Sequence, residues 1–189
     1  VYRDSDGVLK QELKVDSDTS MPQFLRFPVK TRADWDELLF RLDPSKAKDR
    51  ITNAAQLQQA GADPSVPTEM TLCGAFGHPR NLFGDEEHSY LIYDDPGLLE
   101  EILNNWRDLN IALVRAVLEM VHVDSILIWE DMCFKTGPLM APDHVRRFML
   151  PRYAELIAEV RSMGVKGIVV DTDGDCSTLI PIFLESGVD

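Results

Sequence analysis

The sequence predicts an α/β fold built on a parallel sheet. Three short apolar runs bounded by turn residues read as buried strands: Met70 to Ala75, Ser125 to Trp129 and Gly167 to Val170. Long amphipathic stretches separate them. Strand and helix therefore alternate in the βαβ manner that builds a parallel sheet.

Before that repeat, residues 1–67 read differently. Val1 to Val15 alternates apolar and polar residues around Asp4-Ser5-Asp6-Gly7, which predicts a β-hairpin. Asp16 to Ser20 and Met21-Pro22 read as a loop. Thr31 is placed to cap a helix through Arg41, with Trp35, Leu38, Leu39 and Leu42 on one face. Asp43-Pro44 ends it, a second helix is expected over Ser45 to Ala60, and Gly61 to Pro67 forms a linker.

From Thr68 the pattern is regular. Asp95 caps a helix with Pro96 at its first position, and the spacing of Leu99, Ile102, Leu103, Trp106, Leu113, Val114, Val117 and Val121 carries it to about His122. The run Ser125 to Trp129 lacks alternation, as expected of a strand covered on both faces. Pro142 opens the next helix, Pro151 interrupts or kinks it, and Gly164 terminates it. Ser177 is read as the cap of a last helix through Ser186. No strand is followed by G-x-G-x-x-G or by the Walker phosphate loop, which weakens the nucleotide-binding alternatives.

Composition narrows the function. The chain has 189 residues with 19 basic against 32 acidic side chains, a net charge of -13. Nucleic acid is a poor partner for that balance, because neutralising phosphates needs clustered Lys and Arg. No apolar run approaches the ~20 residues of a membrane helix, and a cytoplasmic protein without a membrane segment is expected. Cys73, Cys133 and Cys176 are scattered and form no C-x-x-C pair, so reduced thiols are expected.

In parallel β/α folds the reactive groups gather at the C-terminal ends of the strands. Two acidic clusters fall there: Trp129-Glu130-Asp131, and Asp171-Thr172-Asp173-Gly174-Asp175. Carboxylates crowded at one mouth raise one another's pKa and suit acid/base work, although each also fits a plain turn or cap. The second cluster departs from the calcium loop, because Gly174 stands fourth and Ile182 twelfth. A hard-cation site from Asp171, Asp173 and Glu130 stays open as an alternative. His78 and Arg80, just beyond the first strand, offer a proton carrier and an anion anchor, or merely a polar turn. Phe76, Phe83 and Trp129 read as pocket lining or core. His88, His122 and His144 read as surface residues.

In order and spacing, these motifs resemble a known superfamily. The elements are Gly77-x-x-x-x-Leu82-Phe83-Gly84-Asp85-Glu86 with Asp95-Pro96, then Ile128-Trp129-Glu130-Asp131, Leu139-Met140-Ala141-Pro142 and Pro151-Arg152-Tyr153. Asp171-x-Asp173-Gly174, Leu179-Ile180-Pro181 and Glu185-Ser186-Gly187-Val188-Asp189 continue the set. Together they resemble the uroporphyrinogen decarboxylase superfamily, which includes corrinoid-dependent methyltransferases. The resemblance implies a TIM-type (β/α)8 barrel, incomplete in this chain, over residues 68–189, and residues 1–45 resemble an insertion found in some members; the expected division is a hairpin and helical insertion over 1–67 followed by the barrel segment. It departs from the decarboxylases at Asp131, where they carry Ser. It departs from the zinc methyltransferases at Asp171 to Gly174, where they carry His-x-Cys-Gly. Zinc is therefore expected to bind weakly or not at all.

The leading expectation is decarboxylation of a tetrapyrrole-like substrate without a cofactor, with Glu130, Asp131, Asp171 and Asp173 catalytic and His78, Arg80 and Trp129 binding substrate. The alternative is corrinoid-dependent methyl transfer from a small methylated compound, with a corrinoid protein as partner. A third reading is a non-catalytic barrel remnant that binds a ligand or partner. About three barrel strands leave sheet edges open, so self-association is expected.

Overall fold

The computed structural model describes residues 1–13 and 21–189. The loop read at Asp16 to Ser20, and the end of the predicted hairpin, lie outside them.

The N-terminal region forms three antiparallel strands rather than a simple hairpin: β1 (Tyr2–Arg3), β2 (Leu9–Gln11) and β3 (Gln23–Arg26), in that order. The turn before β2 is closed by Asp4, whose Oδ1 accepts from the backbone N–H groups of Asp6 and Val8. Helix α1 (Arg32–Leu38) has the expected cap at Thr31. It is a full capping box, with Asp34 accepting from the Thr31 N–H. A 3₁₀ turn carries α1 to Arg41.

The helix expected over Ser45 to Ala60 is instead two pieces, a 3₁₀ segment Pro44–Arg50 and α2 (Ala54–Ala60). Ile51, Thr52 and Asn53 divide them, all weaker helix formers than the alanines and glutamines beyond. Trp35 is fully buried, in one continuous core with α5 (Pro96–Leu118), and its indole N–H donates to Glu101 at 3.0 Å. Trp35→Phe keeps most of the apolar contact but leaves Glu101 without that donor. We expect it to lower stability by about 1–2 kcal/mol in urea titration; an unchanged midpoint would mean that Trp35 does not tie this region down.

The parallel sheet consists of β4 (Glu69–Cys73), β5 (Ser125–Trp129) and β8 (Gly167–Asp171), in the order β4-β5-β8. Its register sets Cys73, Trp129 and Asp171 side by side at the C-terminal end. Helix α5 crosses from β4 to β5. It is preceded by two more helices, α3 (Gly77–Phe83), where Gly77 to Arg80 also fitted a polar turn, and α4 (Asp85–Asp94). After β5 come a small hairpin, β6 (Cys133–Phe134) with β7 (Gly137–Pro138), and the short α6 (Pro142–His144). A wide π turn over Val145–Met149 joins α6 to α7 (Leu150–Ser162). The irregularity expected at Pro151 therefore falls just before it, where the proline has no N–H to offer. Gly164 ends α7 with φ of +101°, the left-handed conformation expected of a glycine in that place. Helix α8 (Ile180–Glu185) starts later than expected, and Ser177 does not cap it. Its N–H instead donates to Asp175 in the preceding turn.

Helices α5 and α7 pack against each other and cover one face of the sheet. Leu72, Ile126, Ile128 and Ile168 are buried beneath them. The opposite face carries Thr71, Leu127, Trp129 and Val169, of which Trp129 is 41% and Val169 45% exposed. Cover on both faces, expected from the apolar runs, is thus full on one face and partial on the other among the described residues. Among the described residues three parallel strands are present and no barrel closes. No helix among them is long and apolar enough to cross a membrane.

Candidate active site at the strand ends

Parallel pairing of β5 with β8 brings the two acidic clusters to one rim. Asp171 ends β8, and its carbonyl accepts from the N–H groups of Glu130 at 2.9 Å and Asp131 at 3.4 Å. The chain turns sharply at Asp131, whose φ is +47°. Thr172 steadies the turn by accepting from the Met132 N–H at 3.0 Å. Glu130, Asp131, Asp171 and Asp173 thus sit at one end of the sheet, but their environments differ sharply.

Glu130 is wholly buried. Its carboxylate accepts from the N–H groups of Ala75 at 2.7 Å, Phe76 at 2.8 Å and Gly77 at 3.2 Å, and from the Tyr153 hydroxyl. These donors come from the β4–α3 turn and from α7, so one side chain ties three elements together. Gly74 lies so close that any side chain there would run into the carboxylate. Burial pushes the Glu130 carboxyl up, while the four donors pull the other way. Tyr153 is held well above the usual phenol range by burial and by the adjacent carboxylate. The catalytic role expected of Glu130 therefore meets a different geometry. The group stands inside the wall beneath the mouth and organises it.

Asp131 faces the mouth. Arg80 on α3 donates to the Asp131 carbonyl at 2.6 Å and lies 3.4 Å from its carboxylate. The guanidinium is sandwiched by aromatic groups, 5.6 Å from the Phe76 ring centre and 5.9 Å from that of Trp129. Arg80, Asp131 and Trp129 form one contiguous cluster, with Asp171 and Asp173 exposed beside it. Among the described residues no three His, Cys, Asp or Glu side chains gather closely enough to hold a metal ion. Asp171, Asp173 and Glu130 do not form the hard-cation site left open above, and this donor set does not fit zinc.

His78 lies elsewhere. It is half-buried at the start of α3, lining a cavity at the free edge of β4, and its shielded Nε2 has no partner among the described residues. Burial, reinforced by Arg50, lowers its pKa to about 4. His88 is also buried, against the expectation of a surface residue, with its ring edge-on to Phe76 at 4.8 Å. The three cysteines are free, and burial pushes Cys73 up to about 12, so that thiol stays protonated. Tyr153 was visible in the sequence only as part of a motif. Its inward position on an amphipathic helix was the one signal of a structural part.

No family model and no curated protein match the chain. Among solved structures, a methyltransferase from Methanosarcina mazei does, with a TM-score of 0.64 at 17% identity. The shared fold spans 97% of this chain. It spans 51% of the methyltransferase, so the chain corresponds to about half that protein's length. The likeness is one of fold.

Proposed function

We propose that the strand-end site belongs to a methyl-transferring enzyme of the β/α-barrel type, acting on a small methylated compound that carries a basic or hydrogen-bond-donating group. The observation that carries this is the paired Arg80–Asp131 cluster at the mouth of a sheet whose fold matches a methyltransferase. The reading therefore favours the alternative over the decarboxylase.

An acidic rim of Asp131, Asp171 and Asp173 suits a cationic methylated amine. Its carboxylates would hold the amine nitrogen while Trp129 walls the methyl group. Arg80 fixes Asp131, so the carboxylate need not reorganise when substrate arrives. The bond from methyl carbon to nitrogen breaks with its electron pair left on nitrogen. A corrinoid, carried by a partner protein, would supply the nucleophile that takes the methyl group.

The test is formation of methylcobalamin from reduced cobalamin and a panel of methylated amines, followed by absorbance. Turnover should appear with the parent protein and fall about 100-fold in Asp131→Asn. Decarboxylation of a uroporphyrinogen-type substrate without methyl transfer would return the decarboxylase reading. If neither reaction rises above the blank, the site is not catalytic in this manner.

A further inference from the structure

We propose that the cavity at the free edge of β4 is a binding site for a small organic monocarboxylate with an apolar body. It lies apart from the acidic rim and shares only the wall residue Trp129 with it.

The cavity holds about 450 Å³. Its lining comes from β4, α3, α5 and the N-terminal region, with Trp129 of β5. Apolar side chains make most of the lining, with Trp106 and Trp129 as the largest. Into this surface comes His78, half-buried, whose shielded Nε2 has no partner among the described residues. A buried unpaired imidazole nitrogen is unfavourable unless a ligand or water completes it. Its low pKa keeps the ring neutral, so Nε2–H is available as a donor in that tautomer.

Arg41 and Arg50 line the same cavity. Among the described residues neither forms an ion pair with a carboxylate. The Arg50 side chain is fixed in part by donating to the Arg41 carbonyl at 2.7 Å. Asp6 is the one acidic lining residue, which leaves the lining with a net charge of about +1. In a protein of net charge -13 that is a local inversion of sign. Two guanidinium groups and an imidazole N–H match a carboxylate, and the indole and leucine surface matches an apolar body. A phosphate dianion fits less well, because Asp6 would repel it and the apolar walls would be left without a partner.

Benzoate is the probe. Titration into the purified protein, read by tryptophan fluorescence and by calorimetry, should saturate and weaken with added salt. The Arg41→Gln/Arg50→Gln double variant should bind about tenfold or more weakly, with its melt unchanged because both side chains are exposed. Asp131→Asn should leave benzoate binding intact, which separates this site from the methyl-transfer reading. Absence of saturation, equal binding by the double variant, or inorganic phosphate binding as tightly as benzoate would each overturn the proposal.

Discussion

Replacing Glu130 with alanine is expected to destabilise the protein by about 3–5 kcal/mol. Three backbone N–H groups and the Tyr153 hydroxyl converge on that carboxylate out of contact with water. Truncation orphans all four donors and leaves a void between β5, α3 and α7. Glu130→Gln should fall between the two proteins, because one of its two terminal positions becomes a donor facing other donors. Urea titration measures both, and a loss below about 1 kcal/mol for the alanine variant would sink the account. The site should suffer as well, since the turn that Glu130 holds also positions Arg80.

Acidification should weaken the fold well before the surface carboxylates titrate. His78 and His88 both have pKa values near 4, against an ordinary 6.5, chiefly because burial disfavours the charged ring. The unfolded chain takes up their protons as pH falls below 6.5, while the folded chain holds them neutral down to about 4. Stability is therefore full above that window and is lost as pH falls through it. The loss is on the order of 3 kcal/mol for each histidine at the bottom of the window. Asp124 and Asp189, whose carboxyls are held low mainly by backbone hydrogen bonds, add to the loss only below the ordinary carboxylate range. Urea midpoints measured across the window should slope upward with pH. In His78→Gln/His88→Gln the slope should flatten, and a double variant with the parent's slope would refute the assignment.

The parallel sheet was legible because its strands are continuous apolar runs, and α5 because its apolar stripe is long and capped. The rim was legible too, since parallel strands must deliver their following residues to the same end. What escaped was set by distance in sequence. Glu130 looked like a reactive carboxylate because its backbone donors lie 53 to 55 residues away, where no local pattern announces them. Helix α3 was hidden by Gly77 and Pro79, which read as turn punctuation yet stand in its first turn. His88 looked exposed because its neighbours are acidic, but its ring turns inward to Phe76. The partial exposure of the sheet's second face among the described residues could not be foreseen from residue type, since Leu127 and Val169 are as apolar as their buried neighbours.

The left-handed backbone at Asp131 also bears on how this position can change over generations. Asparagine and glycine tolerate that conformation almost as well as aspartate does, whereas valine, isoleucine and threonine resist it. Substitutions that keep the turn are thus confined to a small set of residue types. A β-branched replacement would push the chain toward extended geometry and draw the Met132 N–H away from Thr172. Lineages can exchange the charge at this corner while keeping its shape, and the chemistry of the mouth can drift on a fixed scaffold.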